Sequence, residues 1–72
     1  MEPYQERVMR EYDEIVARQE KLAAFLESEK SHAIDPQERE LLFDQNFAML
    51  MYIRVLQHRI ALWERNPKSE RP

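Results

Sequence analysis

LLFDQNFAMLMYIRVLQHRIALW, residues 41–63, carries two apolar patterns at once. Within it Leu42, Asn46, Met49, Ile53, Leu56, Ile60 and Trp63 recur at alternating spacings of four and three, which keeps them on one side of an α-helix. The same stretch contains FAMLMYI, residues 47–53, in which every side chain is apolar or aromatic. A helix turns only one side to a single neighbour, so this run must present part of itself to a second surface. At ~100° per residue, Phe43, Phe47, Leu50 and Met51 fall opposite the first stripe, and Arg54, His58 and Arg65 follow along that side. A lone hairpin would leave these four apolar side chains in one exposed patch, which monomers rarely tolerate. Phe43, Phe47, Leu50 and Met51 are therefore the expected contact between copies of the chain.

The partner for the first stripe lies upstream. Val8, Tyr12, Ile15, Gln19, Leu22 and Leu26 also alternate at four and three, with Met9, Val16 and Ala23 widening the seam and charged residues filling the remainder. Glycine is absent and the four prolines stand at 3, 36, 67 and 72, leaving two long intervals without a helix breaker. The polar joint SEKSHAIDPQE, residues 28–38, separates the seams. Asp35 suits the N-cap of a new helix, Pro36 its first position, and Glu38 the return half of a capping box. Asn66-Pro67 stops that helix. The expectation is all-α: an antiparallel two-helix hairpin domain over 1–66, assembling into a symmetric homo-oligomeric helical bundle. Helix one spans about 3–30, the joint about 31–35 and helix two about 36–65, with 67–72 a frayed tail. Gln19 and Asn46 interrupt the two apolar seams with amides, a device that fixes pairing register.

Composition narrows the function. Seventy-two residues allow one domain at most, of a size that oligomerisation commonly supports. With no cysteine there is no disulfide, thiolate metal site or thiol catalysis. The start MEPYQER is charged from its second residue, unlike a secretory signal, and no apolar run approaches the ~20 residues that span a bilayer. A cytoplasmic protein without a membrane partner is expected. Net charge is −3, which argues against binding duplex nucleic acid. The charge is uneven: residues 1–35 carry nine acids and five bases, residues 36–72 five and six, and no acid lies between Asp44 and Glu64. That acid-free stretch holds Arg54, His58 and Arg59.

Arg54 and His58, one turn apart, suit a phosphate, since arginine donates a fork of hydrogen bonds and histidine adds a tunable donor. The plainer reading, which stands first, makes them the polar rim of a self-association interface or partners of Glu or Asp on helix one. Arg59 flanks the first stripe, where pairing with an acid of helix one stands ahead of contact with a ligand. Tyr12 and Trp63 lie on the seams and read as core. Tyr4 precedes the first strong seam residue, so stacking on a ligand, stacking on a neighbouring copy and local packing all stay open. His32 reads as solvated. No nucleophile, base and oxyanion arrangement is present, and two histidines 26 positions apart without clustered carboxylates make no metal site, so neither catalysis nor a cofactor is expected.

YQERVMREYDEIVARQEKLAAFL (4–26), a short polar joint and ERELLFDQNFAMLMYIRVLQHRIALWERN (38–66) together resemble a family of small uncharacterised two-helix bacteriophage proteins, with relatives in crAss-like phages. More distantly, the RIALWERN element (59–66) is similar to the hairpin domain of the phage anti-CBASS and anti-Thoeris sponges. That resemblance implies a phage-encoded, non-enzymatic oligomer that works as an anti-defence sponge in the host cytoplasm. Such an oligomer binds a cyclic nucleotide or cyclic ADP-ribose-type signal in pockets between subunits. Arg54 and His58 would converge on phosphates there, and Lys21 would stand where a helix-one lysine contacts phosphate. The sponges carry a stacking tyrosine on an N-terminal extension, where this chain offers only Tyr4. Two other classes remain open: a module that inhibits a host protein through its apolar face, and a structural phage assembly factor.

Overall fold

A computed structural model describes residues 2–65. Helix α1 spans Pro3–Glu27, a 3-10 turn spans Glu29–Ala33, and helix α2 spans Pro36–Arg65. Among the described residues there is no strand. The molecule is a rod of 49 × 17 × 15 Å, close to the ~45 Å that the 30 residues of α2 require at 1.5 Å each.

Both helices open on an acidic residue followed by proline. At α1 the Glu2 N–H donates to Gln5 Oε1 at 2.9 Å, and the Gln5 N–H returns a bond to the Glu2 carbonyl at 3.0 Å. At α2 the Gln37 N–H donates to Asp35 Oδ1 at 2.8 Å, satisfying one of the amides a helix start leaves unpaired. The return bond expected from Glu38 to the Asp35 amide is not formed.

Helix α1 ends at Glu27, three residues short of the boundary expected from the apolar pattern. The cause is Ser28. Its backbone is extended (φ −83°, ψ 160°), and both its N–H (3.0 Å) and its Oγ (2.6 Å) donate to the Phe25 carbonyl. The chain then coils tightly enough to bury Ser31 completely. The Ser31 hydroxyl lies 2.9 Å from the Ser28 carbonyl and 3.1 Å from the Leu26 carbonyl, donating its one proton between them. Two backbone acceptors at a helix end are satisfied in this way.

The pairing of the helices is fixed by four cross-contacts. The Tyr4 ring meets Trp63 edge-on, with centroids 5.9 Å apart and planes at 86°. Val8 packs with Leu56 and Trp63. Gln57 Nε2 donates to Tyr12 Oη at 3.2 Å, and Gln19 Nε2 donates to Asn46 Oδ1 at 3.1 Å. From Tyr4 against Trp63 to Gln19 against Asn46, the α2 partner falls from 63 to 46 as the α1 residue rises from 4 to 19. The Gln19–Asn46 bond is the register device anticipated for those two seam amides, and a one-turn slip would break it.

The buried apolar residues are Val8, Leu26, Met49, Ile53, Leu56 and Trp63, every one a seam position, with Leu56 the most enclosed at 1% exposure. Within FAMLMYI only Met49 and Ile53 are buried. Phe43, Phe47, Leu50 and Met51 are 46%, 62%, 41% and 39% exposed. The second stripe therefore lies open on the single chain, extended by Val55 at 54%.

Candidate functional site

The outward side of α2 runs from Pro36 through Glu40, Phe43, Phe47, Leu50 and Met51 to Arg54 and His58, all of them exposed. Arg54 and His58 stand one turn apart at the end of this stripe, next to its apolar centre. Their exposure follows from their angular position opposite the seam. Lys21 is exposed on α1, and Arg59 is half-buried at the flank of the seam.

Tyr4 takes the local of its three alternatives. It is half-buried against Trp63, and its hydroxyl is enclosed without a hydrogen-bond partner, as is Trp63 Nε1. The T-shaped contact with Trp63 takes part of the ring surface on which a ligand would stack. Tyr4 and Lys21 are 17 positions apart on α1, roughly 25 Å at 1.5 Å per residue. The five residues Tyr4, Lys21, Arg54, His58 and Arg59 therefore do not line one site within a single chain.

The side chains that do converge lie at the joint. A cleft of about 320 Å³ is lined by His32, Ile34, Pro36, Arg39, Glu40 and Phe43. The Arg39 guanidinium sits 5.1 Å from the centroid of the Phe43 ring, a cation–π distance, and Arg39 Nε makes a long 3.5 Å contact with the buried Ser31 hydroxyl. Anchored at Nε and stacked on Phe43, Arg39 keeps its two terminal amino groups available to an anion in the cleft. His32 is exposed, as a solvated residue would be, yet it forms part of the cleft wall. Sequence periodicity could not have joined His32 to Arg39, because the 3-10 turn that brings them together depends on Ser28 and Ser31.

A smaller cleft of about 220 Å³ is lined by Glu11, Glu14, Ile15, Arg18 and Tyr52, and its two carboxylates against one guanidinium suit an anion poorly. Neither cleft includes Tyr4, Lys21, Arg54, His58 or Arg59. No group of three or more His, Asp or Glu side chains is placed to hold a metal ion among the described residues. No helix among them is long and apolar enough to cross a membrane.

No solved structure matches the chain. A protein of Enterobacteria phage T4, described as "Uncharacterized 7.5 kDa protein in denB-rIIB intergenic region", is 41% identical over 58 residues, covering 81% of this chain and 91% of that protein. The family model described as Sequestin matches residues 2–62. That match takes in α1, the joint and α2 as far as Leu62, with the outward stripe through His58, and the chain belongs to the Sequestin family.

Proposed function

We propose that this protein is a phage-encoded, non-enzymatic sponge: a homo-oligomer of antiparallel hairpins that sequesters a nucleotide-type immune signal in the host cytoplasm. The observation that carries the reading is the outward side of α2, where an exposed apolar stripe continues without interruption into Arg54 and His58. Apolar surface of that kind favours self-association, and two cation-capable side chains at its edge favour a phosphate where copies meet. The family name, Sequestin, agrees with binding rather than turnover. Lys21, Arg59 and Tyr4 stand behind Arg54 and His58 as candidate contacts.

Calorimetry with cyclic di- and trinucleotides and cyclic ADP-ribose isomers tests the reading. Wild type should bind one of them, and Arg54→Ala should lose at least tenfold in affinity while sedimenting as the same oligomer, since a charge-assisted bond contributes about 1.5–3 kcal/mol. Equal binding by Arg54→Ala would move the site elsewhere.

The exposed stripe also supports a second reading, a module that docks on a host protein. A wild-type chain that stays monomeric and binds no signalling nucleotide would favour it.

A further inference from the structure

We infer that two copies pair along their outward α2 stripes in opposite directions, about a twofold axis between Phe47 and Leu50. In this arrangement the partner's Arg54 and the partner's His58 complete the joint cleft of each copy as an anion site. The inference rests on the self-association proposed above and adds which residues meet and what they enclose.

The pattern along the stripe is the first support. Glu40, Phe43, Phe47, Leu50, Arg54 and Gln57 recur at three, four, three, four and three, a second seam beside the one buried against α1, with Gln57 at the margin where its amide also reaches Tyr12 Oη. Its acid stands at one end, its arginine near the other, and its largest apolar groups between them. A twofold contact places residue i against j and j against i. With the axis between Phe47 and Leu50, those two side chains cover each other's counterparts, Glu40 faces the partner's Gln57, and Phe43 faces the partner's Arg54. Phe43 and Arg54 lie equally far from the axis, roughly 8 Å along the helix at 1.5 Å per residue. A parallel pairing would instead set Arg54 against Arg54 and Glu40 against Glu40, two like-charge contacts.

Area is the second support. Phe43, Phe47, Leu50, Met51 and Val55 are 46%, 62%, 41%, 39% and 54% exposed. Together they leave on the order of 450 Å² open per copy, so a twofold contact that covers all five buries about 900 Å², just short of the ~1,000 Å² at which specific interfaces begin before polar neighbours such as Glu40 and Arg54 are added.

The cleft supplies the third. Pro36, Glu40 and Phe43 belong both to its lining and to the stripe, so whatever covers the stripe also walls the cleft. The opposed pairing brings the partner's Arg54 beside Glu40 and Phe43, and the partner's His58 beside Pro36 and Arg39. Glu40 balances one arginine. The remaining arginine leaves the enclosure positive and the imidazoles of His32 and the partner's His58 add hydrogen-bonding nitrogens, suited to a phosphate-bearing ligand. Two equivalent sites result, each incomplete on a single chain.

The native chain has no cysteine, so cross-linking tests the geometry without any ligand. Chains carrying Glu40→Cys are mixed with differently tagged chains carrying Gln57→Cys and oxidised. Covalent dimers joining the two kinds of chain should form at least tenfold faster than dimers of either kind alone. A dimer that cross-links only like with like, or not at all, overturns the pairing while leaving sequestration open; a wild type that is monomeric overturns both.

The shared site is then read by calorimetry with inorganic pyrophosphate. Wild type should bind two per dimer, while Arg39→Ala and Arg54→Ala should each lose binding. An equal mixture allowed to exchange subunits should recover about a quarter of the sites, since each hybrid dimer keeps one intact site of two. No recovery in the mixture would place both arginines in separate or single-chain sites, and no pyrophosphate binding by wild type would remove the anion site altogether.

Discussion

Replacing Phe47 with glutamate isolates the outward face of α2 from the hairpin itself. Phe47 is 62% exposed and takes no part in the core around Val8, Leu56 and Trp63, so Phe47→Glu should leave helix content unchanged and shift the hairpin's own unfolding by no more than about 0.5 kcal/mol. Assembly should respond very differently. A phenylalanine buries about 150–250 Å² in all, so its open fraction is on the order of 120 Å² and contributes ~3 kcal/mol when covered, at ~25 cal/mol per Å². Twofold symmetry counts that loss twice, about 6 kcal/mol, or roughly four orders of magnitude in the dissociation constant. Desolvating the new carboxylates adds to the loss. Sedimentation velocity over a concentration series reads this directly: wild type associated at micromolar concentration, Phe47→Glu monomeric throughout. A mutant that sediments as wild type does would refute the assignment of this face to self-association.

Other substitutions probe the hairpin. Asp35→Ala removes the oxygen that accepts the Gln37 N–H and should lower stability by about 1 kcal/mol in denaturant melts, within a usual range of 0.5–2. Asn46→Ala leaves Gln19 Nε2 without its seam acceptor and should cost about 1–2 kcal/mol. The double change Gln19→Leu with Asn46→Leu should restore stability while allowing more than one pairing register, visible as doubled amide resonances. Tyr4→Phe removes an enclosed hydroxyl that has no partner but keeps the ring against Trp63. It should hold or raise the melting temperature, whereas a loss above about 1 kcal/mol would mean that the hydroxyl is bonded in solution.

The residues that sequence could place are those whose position follows from helical angle alone. Alternation at four and three picks out Met49, Ile53, Leu56 and Trp63 as inward and Phe43 and Phe47 as outward, because burial in a two-helix rod depends on little except which way a side chain faces. The same arithmetic puts Arg54 and His58 on the outside. The joint was opaque for the opposite reason. SEKSHA reads as a polar linker, and nothing in its composition announces that Ser28 will close on the Phe25 carbonyl or that Ser31 will be buried between two backbone acceptors. The cleft formed by His32, Arg39 and Phe43 follows from that turn and was equally hidden. Tyr4 was ambiguous because the first turn of a helix has too few neighbours for periodicity to assign it. The EPYQ opening of α1 could have been read, since it repeats the acidic-Pro-x-Gln/Glu order of the DPQE that starts α2.

Sequestration requires that a signal disappear from solution without being consumed, and one measurement addresses both requirements. Protein in molar excess is dialysed to equilibrium against cyclic ADP-ribose isomers and cyclic di- and trinucleotides, the free ligand is quantified, and the bound fraction is recovered by denaturing the protein and identified by mass. If the protein is a sponge, one of these ligands is depleted from the free pool and returns in full with its mass unchanged. A recovered ligand that has been cleaved, or free pools that match the protein-free control for every ligand, would contradict it.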